Sequence, residues 1–195
     1  MVGVGPTCAG DTCAEPPLPT VTEQRTHFGL WCVLSSPLTL SMDFANSSLV
    51  DSVWGIVSNA DAIAVDQAWA GAPGGQLLES PQQVVLEHCT PGWAGDKNCS
   101  VPVSQSWWKP LPGGAVALFV SNNDPAAPAD VSVPFSALPA GALPCSAGAS
   151  CAVYDVWRQA AAAPAVGSFD VTALAPHDSA FVVLGPWTGA NGRQL

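Results

Sequence analysis

The side chains in this 195-residue chain that could move protons are a scatter of acids and three histidines. The leading acids are Asp43, Asp51, Asp61 and Asp66 in the first third, with Asp155, Asp170 and Asp178 further on. A carboxylate at the C-terminal end of a buried strand is well placed for catalysis, because active-site residues of barrels emerge there. Asp43 fits that description, since it closes the apolar run Leu38-Thr39-Leu40-Ser41-Met42. The better reading of Asp43 is a carboxylate interacting with the N-terminus of the helix that follows. His27 reads as a packing residue, His88 as an exposed one, and His177 in Pro176-His177-Asp178 as a turn residue. No Ser–His–Asp order has a nucleophile elbow around it. Gly113-Gly114 reads as a hairpin turn rather than a phosphate loop. No metal-ligand cluster appears, so neither metal nor cofactor is expected, and no catalytic constellation beyond the weak candidate Asp43.

Cysteines sit at positions 8, 13, 32, 89, 99, 145 and 151. Six fall into short-range couples, Cys8/Cys13, Cys89/Cys99 and Cys145/Cys151, each bracketing loop-forming residues. Metal binding would require CxxC spacing with companion histidines, which is absent. Local disulfides are the expectation, although six cysteines admit fifteen pairings. They imply an oxidising compartment. Cys32, between Leu30, Trp31, Val33 and Leu34, reads as a buried inert thiol. The sequons Asn46-Ser47-Ser48 and Asn98-Cys99-Ser100 agree with that compartment and make Asn46 and Asn98 candidate glycosylation sites. Met1–Gly5 runs straight into Pro6 and Cys8 with neither a basic nor an apolar leader region, so the natural chain is expected to begin upstream.

The elements that would position these groups change character along the chain. Thr20 and Glu23 form a capping box ahead of Phe28, Trp31, Cys32 and Leu34 at helical spacing, with Pro37 as the stop. Gly29 interrupts this helix at a cost of about 1 kcal/mol, which close packing against a neighbour must offset. Leu38–Met42 reads as a short buried strand. Asn46 or Ser47 caps a second helix with Leu49, Val50, Val53, Trp54 and Val57 on one face, and Ala62–Val65 is a second short apolar run. Helix, strand, helix is the rhythm of parallel α/β folds.

Past Gly71-Ala72-Pro73-Gly74-Gly75 the period shifts to short strand-like segments: 84–86, 105–108, 115–120, 131–135, 153–157, 168–171 and 180–184. About seven such segments over about a hundred residues is the pattern of an antiparallel sandwich. Ala160–Ala165 reads as a low-complexity loop. The boundaries expected are an α/β part over 1–72, a linker over 73–82, an all-β sandwich over 83–188 and a tail over 189–195.

Composition limits the partners. Five basic against fifteen acidic residues give a formal charge of −10, leaving no basic stripe for a nucleic-acid backbone. No apolar run reaches the roughly 18 residues of a membrane helix. The chain reads as a packed acidic globule that binds neither nucleic acid nor membrane.

Several motifs together resemble one family. Glu23-Gln24-Arg25-Thr26-His27-Phe28-Gly29-Leu30-Trp31 with Ser36-Pro37-Leu38 resembles the last helix–strand stretch of α-galactosidase (melibiase) barrels. Ser58-Asn59 with Ile63-Ala64-Val65-Asp66-Gln67 is similar to a later segment, with Asp66 and Ala68 departing from the usual Asn and Asp. Trp107 with Pro110-Leu111, Asp155-Val156-Trp157 and Pro176-His177-Asp178 resemble landmarks of that family's C-terminal sandwich. The resemblance implies the end of a (β/α)₈ barrel followed by a β-sandwich, and a family reaction that hydrolyses terminal α-galactosides with retention. It implies a secreted, vacuolar or lysosomal location. It also implies that the nucleophile and acid/base aspartates belong to upstream strands, so that this chain is inactive by itself and its partner is the missing N-terminal barrel portion. A carbohydrate, an α-galactoside by family, is the implied ligand. The alternative is a non-catalytic carbohydrate-binding sandwich. For it, Trp108 and Trp187 are the candidate exposed aromatics, while Trp107 and Trp157 fill the core. A torn barrel end would leave Phe28, Trp31, Leu40 and Trp54 partly exposed.

Overall fold

A computed structural model of the chain describes residues 7–9, 12–14, 19–40, 42–87, 98–142, 145, 148–187 and 189–190. Helix α1 (Val21–Leu34) begins at the predicted capping box: the Glu23 amide donates to the Thr20 hydroxyl, and the Glu23 carboxylate accepts from the Thr20 amide. It ends before Pro37, at Ser35, which takes a left-handed conformation with φ 57°. Asn46 caps α2 (Ser47–Val57), its Oδ1 accepting from the Leu49 amide at 3.1 Å. Val53 and Ile56 form the buried side of α2, whereas Trp54 turns outward.

One expectation for this part is corrected, and one open reading is resolved. Leu38–Leu40 and Met42 join no strand among the described residues; only alternate side chains Leu38, Leu40 and Met42 are half-buried. A strand is completed by a neighbour that shares its backbone hydrogen bonds, so the alternation survives here without the ladder. Ala62–Val65 lies in α3 (Ala60–Gln67). Asn59 supplies the nucleus there, its Oδ1 accepting from the Asp61 and Ala62 amides at 3.0 Å each. Ala62 and Val65, one turn apart, make the buried face.

The β part begins with a small antiparallel hairpin, β1 (Thr7–Ala9) and β2 (Thr12–Ala14), in which Cys8 stands opposite Cys13 in register. Ten further strands follow. They are β3 (Gly75–Glu79), β4 (Gln83–Leu86), β5 (Cys99–Pro102), β6 (Ser104–Pro110), β7 (Val116–Asn122), β8 (Ala129–Pro134), β9 (Cys151–Asp155), β10 (Ala160–Ala165), β11 (Ser168–Leu174) and β12 (Ser179–Leu184). One six-stranded sheet has the order β10-β9-β12-β7-β6-β3, and two-stranded sheets β11-β8 and β4-β5 accompany it. Its strand pairs are antiparallel. The stretch 73–82, read as a linker, thus contributes an edge strand, β3, paired with β6. The alanine run read as a loop is β10, because backbone pairing with β9 needs no particular side chain.

The large sheet is covered on both faces, and the alternation of side chains along its strands shows how. Ala117, Phe119, Phe181, Val183, Tyr154 and Val156 pack with Phe28, Cys32 and Val33 of α1 and with Ile56, Ala62 and Val65. Val116, Leu118, Val120, Val182, Leu184 and Val153 pack the other way, against Val133, Phe135 and Leu174. Every residue of β7 is consequently buried. Helix α1 approaches the sheet closely at Gly29: a Cβ there would lie 2.6 Å from Trp157 Cζ2 and 2.7 Å from Phe119 Cε2. That is the compensating contact the sequence calls for.

Candidate functional site

A concavity lies between α1 and α2. It is lined by Gln24, His27, Phe28, Trp31, Leu40, Val53, Ile56 and Val57, and opens to solvent around about 300 Å³ of empty space. No carboxylate lines it, so nothing in its wall could protonate or attack a glycosidic oxygen. His27 packs edge-on against Trp31, ring centroids 4.7 Å apart, and burial holds its imidazole below the ordinary value. Gln24 Nε2 donates to Pro19 O at 2.8 Å, while its buried Oε1 has no partner among the described residues.

The candidate acids are distributed over structural duties. Asp43 is exposed and accepts from the Ala45 amide at 2.9 Å, a local turn just ahead of α2. Asp51 is exposed on α2. Asp155 accepts from the Arg158 amide at 3.0 Å. Asp170 takes hydroxyl hydrogens from Ser132 and Ser168, which hold its carboxyl below the usual range. Asp178 pairs with Arg25 of α1 at 2.5 Å. Beside it His177 adopts φ 56°, and its carbonyl accepts from the Thr26 hydroxyl at 2.8 Å, so this turn stitches the sheet to α1.

Asp61 and Asp66 are more deeply engaged. Asp61 is buried at the start of α3; Tyr154 Oη donates to its Oδ2 at 2.6 Å, and the Ala190 amide to its Oδ1 at 2.9 Å. Lys109 of β6 is fully buried, 0% exposed, and its Nζ donates to the carbonyls of Val65 and Asp66 at the end of α3. A cation there complements the C-terminal end of the helix dipole. Burial pulls the Lys109 amine below its ordinary value, with the Asp66 carboxylate pulling the other way. Burial likewise pushes Asp66 up, opposed by Lys109, and pushes the Cys32 thiol up strongly, which makes it inert. Nothing in the sequence marked Lys109 as buried. The Asn59 cap was the one available sign that Asp61 opens a helix.

The aromatics are rearranged relative to expectation. Trp107 and Trp157 pack into the helix-facing core as anticipated, but Trp108 and Trp187 are half-buried too. Trp108 leans on the core of the opposite face, because both sides of its strand are covered, and Trp187 joins the helix-facing one. The outward aromatics are Phe44, Trp54 and Trp69, at 62, 58 and 61% exposure, all in the helical part. Phe28, expected to be partly exposed, is buried because α1 turns it toward the sheet; Trp31 and Leu40 are half-buried. Cys145 and Cys151 form a disulfide, Cys99 is disulfide-bonded, and Cys32 is a free buried thiol. Cys89 and the side chains of Cys8 and Cys13 lie outside the described residues. Among the described residues, no group of His, Cys, Asp or Glu could hold a metal ion, and no helix is long and apolar enough to cross a membrane.

An antiparallel sheet covered on both faces, with a short helical layer docked through α1, makes this a β-sandwich with helices on one side. Residues 103–184 match the family described as the alpha galactosidase C-terminal beta sandwich domain, and the chain is similar to the C-terminal portion of α-galactosidases. Solved structures share the fold. α-Galactosidase I from Mortierella vinacea aligns with a TM-score of 0.62 and 20% identity, over 85% of this chain and 36% of that one. A β-L-arabinopyranosidase of glycoside hydrolase family 27 from Geobacillus stearothermophilus gives 0.65 and 19%, over 91% and 33%. An α-galactosidase from Saccharomyces cerevisiae gives 0.63 and 17%, over 87% and 44%. The chain therefore spans between a third and under half the length of these structures. No curated protein sequence matches it.

Proposed function

We propose that this chain acts as the C-terminal part of a retaining glycoside hydrolase of the α-galactosidase type, and that it is catalytically silent alone. Retaining hydrolysis needs two carboxyls about 5–5.5 Å apart across the scissile bond. The α1/α2 concavity offers none. Carrying the reading is the match of residues 103–184 to the C-terminal sandwich domain, together with the exposure of Phe44, Trp54 and Trp69 in the helical part. That combination supports a preceding barrel portion as the partner, supplying neighbouring strands and both catalytic acids, with terminal α-galactosides as substrates. On this reading residues 1–72 are barrel-derived, and the sandwich takes in β3 as well as 83–188. The disulfides support a secreted, vacuolar or lysosomal location.

The test is turnover of an aryl α-galactoside by the purified chain. No product is expected, from wild type or from Asp43→Asn. Turnover abolished by Asp43→Asn would overturn the proposal, because it would place an active acid in this chain.

A further inference from the structure

We infer that Asn46 carries an N-linked glycan, and does so in preference to Asn98. This inference does not rest on the glycosidase reading; it rests on the disulfides, the two sequons and the way each is built into the fold. Disulfide bonds at Cys145–Cys151 and Cys99 mark an oxidising compartment, and the secretory lumen in which N-glycans are attached is one such compartment. Both sequons meet the transfer machinery there.

The two differ in what holds them. Asn46 and Ser48 are exposed, and the Ser48 hydroxyl has no partner among the described residues. Their structure is local: the Asn46 amide donates to Asp43 O at 3.1 Å in the turn ahead of α2, and the rest is the first turn of that 11-residue helix. Such a helix is marginal until it packs, so the sequon stays extended and available on the new chain. Asn98 is also exposed, but its middle residue Cys99 is locked in a disulfide. Its Ser100 sits in β5 opposite Val85, with the hydroxyl 3.4 Å from Gln83 Oε1. Oxidation of Cys99 therefore competes with transfer at Asn98, and nothing comparable competes at Asn46.

The folded structure also tolerates the product. In the transfer, Asn46 Nδ2 bonds to C1 of the sugar, the C1–O bond to a lipid-pyrophosphate donor breaks, and Nδ2 loses one proton. Oδ1 is untouched, and it is Oδ1 that accepts from the Leu49 amide. Helix α2 has no acidic residue in its first turn, so this oxygen is its main N-terminal support and a modification that removed it would be costly. Substitution on Nδ2 keeps it.

The experiment expresses the full chain behind a signal peptide in a eukaryotic secretory host. Enzymatic deglycosylation in ¹⁸O-water labels each formerly glycosylated asparagine, and peptide masses are read on secreted and retained chain together, so a folding defect cannot hide the result. Label is expected at Asn46 in excess of Asn98. Ser48→Ala, which removes the sequon and leaves the cap, should abolish the Asn46 label with the helical circular-dichroism signal retained. No label at Asn46, or label at Asn98 equal to or above it, would overturn the inference.

Discussion

Replacing Gly29 by alanine sets two effects of known size against each other. In a helix interior, glycine to alanine gains about 1 kcal/mol from backbone entropy. At Gly29 the added methyl would sit 2.6 Å from Trp157 Cζ2 and 2.7 Å from Phe119 Cε2, inside van der Waals contact with both rings. Both rings are held by Phe181: fully buried Phe119 packs edge-on against it with centroids 5.8 Å apart, and half-buried Trp157 packs edge-on against it at 5.4 Å. Overpacking a close-packed core costs about 1–3 kcal/mol. With two rigid neighbours the upper half of that range applies, leaving a net loss of about 1–2 kcal/mol, or a melting midpoint lower by about 2–8 °C for a chain of this size. Gly55 on α2 is the internal control, since a methyl there would meet nothing within 4 Å. Gly55→Ala should raise the midpoint, by up to about 1 kcal/mol in stability. Thermal and urea unfolding of the two variants, followed by near-ultraviolet circular dichroism, checks both signs in one molecule. A Gly29→Ala protein as stable as Gly55→Ala would refute the claim that α1 seats on the sheet through that glycine.

Other substitutions probe the polar contacts between layers. Tyr154→Phe removes the hydroxyl donated to buried Asp61 and should cost about 1–3 kcal/mol in urea unfolding, as for a buried acceptor left without its donor. Lys109→Met strips the Val65 and Asp66 carbonyls at the end of α3 of their donor and should cost about 1–3 kcal/mol in urea unfolding, as for buried acceptors left unmade. His27 has a folded value below its unfolded one, so it favours the fold when neutral. Its contribution is present above the unfolded value of about 6.5 and is lost as pH falls through that value toward the folded one. His27→Phe should flatten that part of the stability–pH curve, measured by urea midpoints between pH 7.5 and 5.

The legible parts of this fold were those written in local chemistry. Thr20 and Glu23 announce α1, Asn46 announces α2, and the β-branched segments announce β6, β7, β8, β9, β11 and β12, because caps and alternation act within a few residues. What stayed hidden depends on distant partners. Leu38–Leu40 has a strand's alternation but joins no sheet among the described residues, while Ala160–Ala165 has no strand signal yet pairs with β9. Trp108 and Trp187 looked exposed because a sandwich strand ordinarily has one wet face; here Trp107 turns to the helical layer, Trp108 packs into the core on the other face, and Trp187 joins the helix-facing core. Lys109 was invisible for the same reason: its burial is decided by α3, more than forty residues earlier in the chain. For the candidate acids, spacing could say which were near strand or helix ends, but only three-dimensional contact shows that five of the seven, Asp43, Asp61, Asp155, Asp170 and Asp178, are tied up in turns, hydrogen bonds or pairs.

The sheet dry on both sides has a consequence for anyone who would divide this protein. Cutting the chain after Gln67 would not release a free module; it would lay bare Phe119, Phe181, Val183 and Val156 in one stroke and leave Lys109 charged with nothing to hold. The helices behave as the lid of a box whose wall is shared, so they and the strands must be inherited, expressed and engineered as one piece.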